Sequence, residues 1–82
     1  MFTQEERQAI YDFLKEVHGY SPAYVRMRVM EFVRAMGVIR NTNSEYIIEF
    51  SKWLNSKFCK NESYPDHADW EALEESIFNV LK

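Results

Sequence analysis

The side chains best suited to chemistry are few and widely spaced. There are two histidines, His18 and His67, and one cysteine, Cys59. Cys59, Asp66, His67 and Asp69 would in principle suit a metal ion. Structural zinc sites, however, supply pairs of Cys or His at short intervals, and this run supplies none. Asp66 and Asp69 are better read as a helix N-cap and a first-turn residue, where a carboxylate meets free backbone N–H groups and the positive end of the helix dipole. Cys59 then reads as a small, partly buried side chain. His18 precedes Gly19, a place where histidine commonly meets the free carbonyls of a helix end. No metal site and no cofactor are predicted.

Other catalytic patterns are also missing. Two isolated glycines cannot build a phosphate-cradling loop. The serines at 21, 44, 51, 56, 63 and 76 form no nucleophile elbow. Neighbouring carboxylates such as Glu74 and Glu75 read as a solvated helix face. Catalysis needs convergent groups, and a chain of 82 residues has little room for a deep pocket. The expectation is that this protein is not an enzyme.

What remains is recognition, and two surfaces exceed their structural needs. The first lies on a segment over residues 22–36. Val25, Val29, Phe32, Val33 and Met36 make its core stripe. Tyr24, Met27 and Met30 are left on the other side among Arg26, Glu31 and Arg34. Methionine adapts to varied partners, and Tyr and Arg are enriched at binding hot spots. The alternative is that this segment is the central helix, packed on two sides. The second surface lies on a segment over 67–81, where Glu71, Glu74 and Glu75 share a side with Phe78. It could meet a basic partner, or Phe78 could cover a neighbouring element while the glutamates face water.

Four helical segments must position these residues. The first spans 4–18: Thr3 and Glu6 have capping-box spacing, Ile10, Phe13, Leu14 and Val17 form one stripe, and Gly19 ends it. The second, 22–36, starts at Ser21-Pro22 and is expected to stop at Gly37, with Val38 packing back on Val33. The third, 43–59, has a possible capping box from Thr42 to Glu45 and an apolar arc of Tyr46, Ile47, Phe50, Trp53, Leu54 and Phe58. The fourth, 67–81, follows the Tyr64-Pro65 turn and Asp66, and carries Trp70, Leu73, Ile77, Val80 and Leu81 on one side. No strand pattern survives this reading. The prediction is an all-α, compact bundle of four helices in a single domain over 1–82, with neighbours roughly antiparallel because the loops are short.

Composition agrees with that architecture. Hydrophobic residues make up 46% and charged residues 28%, the balance of a globular chain. Six Phe, five Tyr and two Trp supply the large buried areas that a small domain needs. Two Gly and two Pro are few for an all-β domain. One cysteine cannot form an internal disulfide, and no leader or membrane-spanning run is apparent. A cytoplasmic protein with no membrane role is expected. The sequon at Asn61 carries little weight without a secretory leader.

The net charge of −3 hides a gradient. Arg26, Arg28, Arg34 and Arg40 cluster on and after the second segment, whereas Glu62, Asp66, Asp69, Glu71, Glu74 and Glu75 fill the last quarter. Internal pairing or ordinary solvation would account for both. Taken together, the residues suggest a small acidic protein-binding module, an inhibitor or adaptor that docks on a larger protein. Toxin-immunity, anti-defence and host-takeover proteins share this size, charge and build, an analogy that involves no motif. A helix-turn-helix nucleic-acid binder is an alternative. It is disfavoured by the acidic balance, by Glu45 and Glu49, and by a turn over 37–42 longer than such motifs use. A homodimer through the surplus on the second helix is a third possibility.

Overall fold

The computed structural model describes residues 1–82 and contains four helices and no strand. They are α1 (Gln4–Val17), α2 (Pro22–Arg40), α3 (Ser44–Lys57) and α4 (His67–Leu81). The all-α four-helix bundle expected from periodicity is the architecture of the protein.

Each helix starts where its cap allows. In α1 the Thr3 hydroxyl accepts from the Glu6 N–H at 3.1 Å, and the Glu6 carboxylate accepts from the Thr3 N–H at 2.8 Å. Asp66 and Asp69 make the same reciprocal pair at the start of α4. Ser21 accepts from the Tyr24 N–H, with Pro22 in the first turn where no N–H is missed.

Four boundaries differ from expectation. The helix starting at Pro22 does not stop at Gly37 but continues to Arg40. A glycine inside a helix costs only about 1 kcal/mol, so it cannot end one unaided. The stop comes from Asn41, which adopts the left-handed conformation at φ 58°. Its N–H and that of Thr42 turn back to the carbonyl of Gly37. Val38 therefore does not fold back on Val33; it is 82% exposed on the continuing helix. At the next helix the Thr42–Glu45 box does not form, because Thr42 is engaged in that turn. Asn43 caps α3 instead, accepting from the Glu45 N–H at 2.8 Å. α3 ends at Lys57 rather than 59, since Phe58 is extended and Cys59 is left-handed at φ 50°. The first helix closes at Val17, and Gly19 follows with φ 91°.

α2 is the central element, packed against α1, α3 and α4. Val25, Val29, Val33 and Met36 from it meet Ile10, Phe13 and Val17 from α1, Phe50 and Leu54 from α3, and Leu73, Ile77 and Leu81 from α4. Phe58 and Cys59 complete one core with no buried polar side chain. Phe32 and Tyr46, both expected inside, are not fully buried. Phe32 stacks on Phe13 at 4.3 Å at the margin, and Tyr46 is 62% exposed.

Arg40 ties three helix ends together. It closes α2, its Nε donates to the Leu81 carbonyl at 2.6 Å, and its Nη1 donates to Glu6 at 2.8 Å. Its guanidinium also lies 4.1 Å from the centre of the Phe2 ring. α4 has no basic residue in its last turn, so Arg40 supplies the cation its free carbonyls lack. Arg40→Met keeps the stem but removes these bonds, and should cost about 2 kcal/mol and lower Tm by roughly 10 °C. An unchanged thermal unfolding curve would show that the three ends hold without it. Glu6 is held below the ordinary carboxylate value of 4.5, first by the Thr3 N–H bond and then by Arg40. A depressed folded value means stability present above that ordinary value and lost as pH falls through the lower one. Glu6→Gln should therefore flatten the acid limb of Tm against pH below about 4.5.

Candidate functional site

The most developed surface lies between the C-terminal half of α2 and the N-terminal half of α3. The turn joining them is only Asn41 to Asn43, so the two helices diverge directly from a tight corner. At Gly37 the absent side chain lets α3 come close: a Cβ there would stand 2.7 Å from Ile47 Cδ1. The result is an open groove of about 700 Å³. Met30, Gly37 and Ile47 line it with Val38 and Ile48, while Arg34 and Lys52 stand on its two sides. Val38 and Ile48 are 82% and 54% exposed, and Met27, three turns earlier on α2, is 53% exposed. Large aliphatic groups exposed together, with polar residues around them, are the usual mark of an interaction surface.

The electrostatics set Arg34 apart. Arg26 grips both carboxylate oxygens of Glu62, at 2.9 and 3.0 Å, and donates to the Phe58 carbonyl. Arg28 is shared between Glu16 and Glu31. Arg40 is consumed at the helix ends. Arg34 alone among the four makes no ion pair. Lys52 has only a 3.5 Å contact with Glu49, both side chains being largely exposed. Such a surface pair is worth little.

No protein-family profile, no curated protein and no solved structure matches this chain.

The residues singled out on α2 divide accordingly. Met30 and Arg34 line the groove, with Met30 also touching the core, whereas Met27 is exposed on α2 outside that lining. Tyr24 is half-buried, its ring 4.6 Å from Tyr20, and Arg26 is locked to Glu62. The residues on α4 do not form one free face. Phe78 is half-buried under Phe2 and Tyr11, with ring centres 5.1 and 5.6 Å away. Glu71 pairs with His67. Glu74 lines a second groove with Tyr11, Leu14 and Trp70, and Glu75 is exposed.

That second groove, between α1 and α4, holds both histidines. The His18 ring stacks on Trp70 at 4.8 Å rather than reaching the end of α1; its backbone N–H caps the Lys15 carbonyl. No three His, Cys, Asp or Glu side chains converge to hold a metal. Cys59, Asp66, His67 and Asp69 do not gather: His67 turns to Glu71, and Asp69 caps α4 while lying 3.7 Å from the Cys59 sulfur.

Sequence reasoning does not reach Val38 and Ile48, because a helix ending at Gly37 puts Val38 in the turn and Ile48 falls off the apolar arc of α3. A usable signal existed. Continuing the helical period through Gly37 puts Met27, Arg34 and Val38 on one line, at intervals of seven and four.

Burial, and then the carboxylate of Asp69, push the Cys59 thiol up to about 11. At pH 8 it should be almost entirely protonated and sealed in the core. Iodoacetamide should label it at least about a hundredfold more slowly in the folded protein than in denaturant, by mass spectrometry. Equal rates would mean that the segment over 58–62 opens readily.

Proposed function

We propose that this protein is a protein-binding module that docks on a larger protein through the α2–α3 groove and acts as an inhibitor or adaptor. The observation carrying this reading is the exposure of Val38 and Ile48 on facing helices beside an arginine that has no partner of its own. Aliphatic groups left this exposed add little to the domain's own stability; Ile39, next to Val38, is 76% exposed as well. Small size and net charge of −3 are shared with immunity, anti-defence and host-takeover proteins, which is an analogy of build alone. No helix is long and apolar enough to cross a membrane. The unbridged thiol accords with a reducing compartment, and the proposed setting is the cytoplasm.

A nucleic-acid reading gains one point. The turn over 41–43 has the three-residue length of a helix-turn-helix corner, shorter than the sequence suggested. Three of the four arginines that would meet phosphates are already paired, and α3 opens with Glu45 and Glu49 outward. That balance favours protein docking.

Capture from the native cell extract, with nuclease present, separates the readings. Val38→Glu combined with Ile48→Glu should leave Tm nearly unchanged yet abolish recovery of a nuclease-resistant protein partner. Charge reversal at Glu71, Glu74 and Glu75 should leave recovery intact. The opposite pattern would move the interface to α4, and partners lost with nuclease would favour the helix-turn-helix reading.

A further inference from the structure

We infer that the α2–α3 groove is shaped for an amphipathic helical segment of a partner whose apolar stripe is edged by carboxylates. This rests on the docking reading above and specifies the occupant. The groove runs between two helices that meet at a tight corner, which is the geometry into which a third helix lays its apolar ridge. Its less exposed lining, Met30, Gly37 and Ile47, forms an apolar floor, Val38 and Ile48 stand exposed beside it, and Ser44 and Ser51 of α3 also line it. A small-molecule pocket also needs polar groups buried at fixed points to orient its ligand. Here no polar side chain is buried. Side chains of the Leu or Ile type suit such a floor.

Charge selects among apolar partners. The two sides of the groove carry Arg34 on α2 and Lys52 on α3. Arg34 makes no ion pair, and Lys52 makes only the long one with Glu49. Every other arginine of α2 is satisfied by a carboxylate of its own chain, so the free cation sits at the one exposed aliphatic groove of that helix. On a chain of net charge −3, this is a local reversal of sign. A partner stripe edged by Asp or Glu would complete it and be steered to it. A second copy of this chain is a poor occupant. A twofold contact through this groove would bring the same two cations of each copy towards those of the other, and like charges across an interface are costly.

The test is selection from a displayed library of helical peptides of about 18 residues, five turns, against the full chain. The library has a fixed apolar stripe and random flanking positions. Selected peptides should be enriched in Asp and Glu beside the stripe. Their affinity, by fluorescence anisotropy, should fall roughly tenfold or more on Arg34→Glu with Lys52→Glu. Peptides with Lys in place of the acidic residues should recover binding to that double variant. NMR shifts should change at Val38 and Ile48. Selection without acidic enrichment, equal binding to the double variant, shifts on another face, or a selection that yields no binder would overturn the inference. So would self-association, by sedimentation equilibrium, that Val38→Glu abolishes, or a DNA duplex that competes for the groove at low salt. If Val38→Glu with Ile48→Glu abolishes capture of the cellular partner but the charge variant does not, the docking reading stands and the acidic occupant falls.

Discussion

The guanidinium of Arg40 is the constraint on which the rest of this bundle depends. A four-helix domain of this size must hold its helix ends against fraying with only a small core behind them. Arg40 closes α2, satisfies the Leu81 carbonyl at the end of α4, and meets the Glu6 carboxylate that caps α1. It can do this only because α2 continues past Gly37, which carries residue 40 to the level where α1 begins and α4 ends. The extra turn of helix is thus structural, and it has a second consequence: it lifts Val38 out of any turn and onto an open surface.

That surface follows from the same geometry. With α2 extended, the link to α3 shrinks to three residues, and Asn41 must turn left-handed to make the corner. Close approach of the helices is permitted by the missing side chain of Gly37, which sets Ile47 against the backbone of α2. The aliphatic groove is therefore formed by a helix crossing and not by a loop, so it is a rigid feature with few ways to collapse. The arginines sort themselves around it. Of the four on α2, three stabilise local structure by pairing with carboxylates, and Arg34 is left to whatever arrives from outside.

The acidic end of the molecule is more occupied than its composition suggests. Phe78 is covered by Phe2 and Tyr11, and Glu71 is engaged with His67. Asp66 and Asp69 cap α4. Of the two surfaces that composition alone offered, one is largely spent on the fold itself. The other survives in altered form, centred on Met30 and Arg34 and extended by Val38 and Ile48 across to a second helix.

Periodicity and caps by themselves determined the number of helices, the starts of α1, α2 and α4, and most of the buried faces. These are local matters: Thr3 with Glu6, Ser21 with Pro22, Asp66 with Asp69, and the stripe of Val25, Val29 and Val33 act within a few residues of chain. Where α2 ended was not legible, because a glycine inside a helix and a glycine at its end look alike in sequence. The difference was decided by bonds from Asn41 and Thr42 and by Arg40 reaching the ends of two other helices. Nor could the sequence say which arginines were free. Glu62 and Glu16 lie far along the chain from the arginines they bind, and only the packing of α1, α3 and α4 around α2 brings them within reach. Tertiary structure left Arg34 unpaired beside an open aliphatic groove, since no other part of the bundle comes near enough to cover it.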